Sequence, residues 1–326
     1  MRSAFAYIML SVFFLLAGCQ KKELPVQPHT SGDVKTASVN MDGTYKYQIY
    51  YSLKANKEVS KNLKTAWDIS FETSPRGFHI FLNSSKLMFA LNTGKTDFSS
   101  VSYNDTIGMM AHRKCDGSTG VTDSTAIGDW TIAKNVFIVD KGLDEAGQNL
   151  GKMKIQFLSV SDSNYTVRFA DVDGNNNTSV SIKKDTLYNL AYLSFDTKTQ
   201  VSIEPPKSTW DLVFTQYTFT FYAESPPLPY LVTGCLLNRF NTQAVKDSSA
   251  VFSKIAFADV NQFTLTNDIS TIGYNWKVFK NSSYSIVSKY NFIIRDAAGY
   301  SYKLHFTDFY DSKGEKGNPK WEYQQL

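Results

Sequence analysis

Large apolar side chains alternate with small or polar ones in two matching stretches, Trp67-Asp68-Ile69-Ser70-Phe71 and Trp210-Asp211-Leu212-Val213-Phe214. Period-two alternation of this kind predicts half-buried strands. A second matched pair follows downstream in the same order. Val136-Phe137-Ile138-Val139-Asp140 leads through Gly142 and Gly151 to Lys154-Ile155-Gln156-Phe157, and Asn291 to Asp296 leads through Gly299 to Lys303-Leu304-His305-Phe306. Each reads as an apolar strand, a glycine turn and a returning strand. Two motifs in one order at similar spacing predict an internal duplication.

The intervening pattern is also strand-like. Tyr45 to Leu53, Phe78 to Leu82, Lys86 to Leu91, Tyr165 to Val172, Ser179 to Ile182 and Leu187 to Phe195 carry strand composition in the first half. Phe252 to Val260, Gln262 to Thr266, Tyr274 to Phe279 and Tyr284 to Arg295 carry it in the second. Lys54 to Ala66 reads as a loop and short strand, and Asn92 to Asp129 is polar and weakly patterned. Helical periodicity over three turns is nearly absent, so the expected fold class is all-β, with two related antiparallel units spanning 45–200 and 201–326. An aromatic content of 14% suits a sheet-on-sheet core.

The start of the chain sets the compartment. Arg2 is followed by the apolar run Ala4 to Leu16 and by Leu16-Ala17-Gly18-Cys19. The run is too short for a spanning helix and fits a signal peptide, residues 1–18. Leu-Ala-Gly-Cys resembles the bacterial lipobox, which implies lipidation at Cys19 and a membrane attachment through acyl chains. Residues 19–44 then read as a flexible tether rich in Lys, Pro, Ser and Thr. The expected location is the outer membrane, facing the cell surface or the periplasm. A net charge of +4 without a long basic run excludes nucleic acid as an expected partner.

Of three cysteines, Cys115 and Cys235 remain after lipidation. They can form a disulfide outside the cytoplasm or stay as two buried thiols. Asp171, Asp173 and Asn175 invite a calcium reading, but Asn176 and Ile182 stand where an EF-hand loop needs Gly and Glu, so a hairpin turn is expected. No free metal is predicted. The chain carries no Gly-x-Ser-x-Gly elbow, His-Glu-x-x-His or glycine-rich phosphate loop, so no enzyme is expected. Asp68 and Asp211 recur with their strands and read as structural carboxylates.

Trp210-Asp211-Leu212-Val213-Phe214-x-x-Tyr217, Tyr284 to Asp296, Tyr302-Lys303-Leu304-x-Phe306-x-Asp308-Phe309 and Gly317 to Tyr323 together resemble the HmuY family of haem-capturing lipoproteins. The resemblance implies an all-β fold, a lipid anchor, haem as ligand and an outer-membrane transporter as partner. The chain is expected to be a monomer. The family's iron ligands, histidines or methionines, fall between the Trp-Asp strand and the last hairpin, whereas Arg239 to Asn291 contains neither residue. Donors exist in the matching interval of the first half, making His79, His112, Met109 and Met110 the haem-ligand candidates. Each also has a plain reading, His79 as a solvent-facing strand residue and the methionines as core filling. His305 reads as a surface residue and His29 lies in the tether. The alternative function is a glycan- or protein-binding surface module built on the same aromatic-rich fold.

Overall fold

A computed structural model describes residues 31–326. The signal segment and Cys19 lie outside the described residues. The first half of the described chain runs β1 (Lys35–Ser38), β2 (Tyr47–Ser52), β3 (Lys57–Leu63), β4 (Ile69–Glu72), β5 (Ile80–Leu82), β6 (Phe89–Asn92) and β7 (Val136–Asp140). Then come β8 (Lys152–Val160), β9 (Asn164–Asp171), β10 (Thr178–Lys183), β11 (Leu190–Ser194) and β12 (Thr199–Val201). The remainder holds β13 (Leu212–Phe221), β14 (Leu228–Leu237), β15 (Gln243–Asp247), β16 (Lys277–Lys280), β17 (Ser283–Ile286), β18 (Asn291–Arg295), β19 (Ser301–Tyr310) and β20 (Lys316–Gln325). Among the described residues, no helix is long and apolar enough to cross a membrane.

These strands make four main antiparallel sheets. Two have four strands, ordered β12-β11-β4-β5 and β3-β2-β13-β14, and two have five, ordered β10-β9-β8-β7-β6 and β1-β20-β19-β18-β15. Ile69, Phe71, Phe137, Ile155 and Phe157 pack between one four-stranded and one five-stranded sheet. Phe214, Phe292, Leu304, Phe306 and Trp321 do the same in the other sandwich. A third cluster, including Tyr50, Trp67, Phe81, Tyr192, Trp210 and Tyr217, joins the two four-stranded sheets face to face. Both faces of those sheets are therefore buried, which explains why β11 and the start of β13 are continuously buried.

The Trp-Asp motif does the same work in each sandwich. Asp68 Oδ2 accepts from the backbone N–H of Phe195 at 2.7 Å, and Asp211 Oδ2 accepts from that of Leu53 at 2.7 Å. Asn83 Nδ2 donates to the carbonyls of Lys64 and Trp67, and Asn238 Nδ2 to those of Lys207 and Trp210. Trp67 meets Tyr192 edge to face at 4.9 Å, and Trp210 meets Tyr50 at 4.8 Å. Both carboxylates thus bind a backbone amide just past the end of the strand next to their own motif, as their recurrence suggested.

The chain closes on itself in one respect that local pattern does not reveal. β2 pairs with β13 and β1 with β20. Tyr47 to Leu63, expected with the first unit, lies in the sheet of the second Trp-Asp strand. Lys57 to Leu63 is also a full strand rather than mostly loop.

Phe252 to Val260 departs from expectation. It forms turns of 3₁₀ helix, Phe252–Lys254 and Phe257–Gln262, not a strand. Its apolar residues Ile255 and Val260 sink beside Ile293 and Leu326, and Asp259 Oδ2 caps the turn by accepting from Ala256 N at 2.8 Å. Lys303 Nζ closes the segment by donating to the carbonyls of Phe252 and Ile255 at 2.9 and 2.8 Å. Lys154 makes the matching bond to Val101 at 2.7 Å in the polar stretch of the first sandwich.

Candidate functional site

The β13–β14 hairpin outruns its sheet. β13 pairs with β2 only from Leu212 to Phe214, yet it continues against β14 to Phe221. The free part of this ribbon stands opposite the separate hairpin β16–β17, held in place by the loop before it. Cys235 and Gly273 exchange two backbone hydrogen bonds of 2.9 Å. Gly234 permits that approach, because a Cβ there would lie 2.3 Å from the Gly273 carbonyl oxygen.

Between the two hairpins lies a groove of about 870 Å³. Phe221 and Tyr230 wall one side, with Tyr274 behind them at 6.2 Å from Phe221. Phe279 and Tyr284, 5.0 Å apart, wall the other. Phe279 is 65% and Tyr230 57% exposed, so these rings offer their surfaces to a ligand instead of to the core. Lys277 and Lys316 are its cations and Glu224 its carboxylate.

Lys277 sits at the groove floor. Its Nζ donates to the Thr233 carbonyl at 2.5 Å and lies 4.2 Å from the Trp276 ring and 4.6 Å from that of Phe309. Burial pushes its ammonium down to about 7. A volume of this size and an aromatic lining with few polar groups suit one drug-sized planar molecule.

The ligand candidates read from the sequence do not meet there. His79 Nδ1 lies 2.6 Å from Glu72 Oε2, and its ring stacks on Phe78. His112 is exposed beside a hollow of about 300 Å³ lined by Ala90, Lys114, Ile127 and Phe137, among others, which holds neither His79 nor a methionine. Met109 is buried against Phe98 and Val136, while its neighbour Met110 is 73% exposed. Nothing in their sequence spacing distinguishes such scattered donors from convergent ones.

The Cys115–Cys235 disulfide is not formed, and both thiols are free. Cys115 Sγ rests 3.8 Å from Thr220 Oγ1. Thr220 faces Pro229 across the ribbon, six residues along β14 from Cys235, or about 20 Å of strand. Among the described residues no group of three or more His, Cys, Asp or Glu is placed to hold a metal ion. Asp171 and Gly174 form the expected turn between β9 and β10, with Gly174 N donating to Asp171 O at 2.8 Å.

A second polar cluster lies where the sandwiches meet, around a cavity of about 100 Å³ lined by Asp116, Tyr192, Glu204, Trp210 and Arg239. Arg239 stacks on Phe81 at 4.1 Å and donates to the Gly120 carbonyl at 2.8 Å. Glu204 accepts from the amides of Asn189 and Leu190 at 2.5 and 2.8 Å, yet burial pushes its carboxyl up to about 7. A folded-state pKa above the unfolded value means its stabilising contribution is complete below about 4.5 and is lost as pH rises through about 7. Glu204→Gln keeps the acceptor oxygen and removes this titration. Relative to the parent protein, the variant is expected to gain on the order of 3 kcal/mol between pH 4.5 and 8, read as diverging urea midpoints.

The architecture is that of an all-β protein of paired antiparallel sandwiches with an aromatic groove at one hairpin. The chain belongs to the HmuY family, whose model, described as HmuY protein, matches residues 44–190 and 230–323. Solved structures similar to it include apo PinO from Porphyromonas gingivitis, at 10% identity over 90% of this chain and 97% of that one, TM-score 0.35. An apo HmuY analog from Tannerella forsythia is 10% identical over 91% and 99%, TM-score 0.34. A putative HmuY-like heme binding protein from Bacteroides vulgatus is 14% identical over 41% and 82%, TM-score 0.17. No curated protein matches the chain.

Proposed function

We propose that this protein is a non-enzymatic, lipid-anchored binding protein of the outer membrane, one that captures haem or a related planar ligand for uptake by a transporter. The groove between β13–β14 and β16–β17 is the binding site in this reading. The observation that carries it is the groove itself, about 870 Å³ between two walls of outward-facing rings, in a chain of the HmuY family. Lys316, exposed at the groove, supplies positive charge for a ligand carboxylate. Attachment through Cys19 and release to a transporter rest on the lipobox-like start and on the family. The matched sheet orders and the paired Asp and Asn bonds support one ancestral duplication, after which only the second unit kept a projecting ribbon.

Ferric haem titrated into the protein tests this by absorbance. The double variant Phe279→Ala, Tyr230→Ala is expected to weaken binding by about ten-fold or more, since it removes one ring from each wall. The double variant His79→Ala, His112→Ala is expected to bind as the parent does. Loss of binding only in the histidine variant would move the site to the first sandwich. A featureless titration of the parent would favour the alternative, a glycan- or protein-binding surface, for which the high exposure of Phe279 and Tyr230 is the supporting observation.

A further inference from the structure

We infer that the groove recognises its ligand as a flat, anionic macrocycle and not through a metal at its centre, so that a metal-free porphyrin is as good a ligand as haem. This rests on the reading of the groove as the site, and adds how the ligand is chosen.

The argument is one of donors. Among the described residues lining the groove there is no histidine, methionine or cysteine. The histidines and methionines described elsewhere are committed to other places. His79 pairs with Glu72, and His305 pairs with Glu322 at 3.1 Å and stacks on Phe252 at 4.1 Å. His112 belongs to the hollow on the first sandwich. Met41, Met88, Met109 and Met153 are buried in cores, and Met110 shares the exposed turn of helix Met109–His112.

Of the groove's phenols and amines, Tyr45, Tyr230, Tyr274, Tyr284, Lys277 and Lys316, three are disfavoured as iron ligands. Burial pushes the phenols of Tyr45 and Tyr274 up, which opposes the phenolate that iron would need. Lys277 Nζ is already held by the Thr233 carbonyl. What the groove does offer is independent of a metal: ring faces on two opposed walls for stacking, and the exposed Lys316 ammonium for a carboxylate at a macrocycle edge.

Parallel titrations of the intact protein with ferric haem, protoporphyrin IX and the dimethyl ester of protoporphyrin IX test the inference. Haem and protoporphyrin IX are expected to bind within about three-fold of each other, and the ester about ten-fold more weakly. Bound haem is expected to keep a high-spin spectrum. Haem binding ten-fold or more tighter than protoporphyrin IX, with a low-spin spectrum, would overturn the inference while leaving the haem-capture reading intact. The same holds if Tyr230→Phe abolishes a haem preference. Binding of neither porphyrin would overturn the inference together with the reading beneath it.

Discussion

Asp68→Ala is expected to lower stability by about 3–5 kcal/mol, seen as a large drop in the urea midpoint at unchanged slope. Asp68 is buried, and its Oδ1 forms an ion pair with the equally buried ammonium of Lys86. Its Oδ2 holds the Phe195 amide. Truncation would leave a charge and an N–H group without partners inside the sheet. Asp211 offers the internal comparison. It makes the matching bond to Leu53, but among the described residues no cation faces it in an ion pair, and burial pushes its carboxyl up to about 6. Asp211→Ala should therefore cost only about 1–2 kcal/mol, the price of one buried amide left unpaired. Equal losses in the two variants would contradict the assignment of a buried ion pair to the first motif alone.

Removal of residues 31–63 is expected to abolish cooperative folding of the second sandwich. This segment supplies β1, β2 and β3, of which β1 pairs with the last strand, β20, and β2 with β13. Val39, Met41, Tyr45, Ile49, Tyr51 and Leu53 all enter the core that contains Phe214, Phe306 and Trp321. At about 1.5–3 kcal/mol for each buried apolar side chain, their loss amounts to roughly 10 kcal/mol or more. That is comparable to the whole stability of an ordinary domain, about 5–15 kcal/mol. Near-UV circular dichroism of the shortened protein should lose the second sandwich's share of the tertiary signal, and adding the 31–63 peptide in trans should restore it. A shortened protein with the parent's unfolding transition would show that these strands are only an outer layer.

The all-β class and both Trp-Asp strands were legible in the sequence because period-two alternation of large apolar with small or polar residues is a local signal, repeated in both motifs. The roles of Asp68 and Asp211 were legible through recurrence. Pairing of β2 with β13 was not, because partners so distant in the chain leave no local signal. Phe252 to Val260 misled because spacing of three and alternation of two are hard to tell apart over so short a run. The groove was hidden for a different reason. Phe279 and Tyr230 look like any core aromatics until two separate hairpins turn them outward. His79, His112, Met109 and Met110 showed the opposite failing, since a sequence displays donors but not whether they converge.

Backbone hydrogen exchange with and without ferric haem tests the central claim, that the groove between the two hairpins is where this protein holds its ligand. Slowed exchange confined to Leu228 to Thr233 and Tyr274 to Ile286 is the predicted result. Protection centred on Phe78 to Leu82 and on Met109 to Lys114, with the hairpins unchanged, would contradict it.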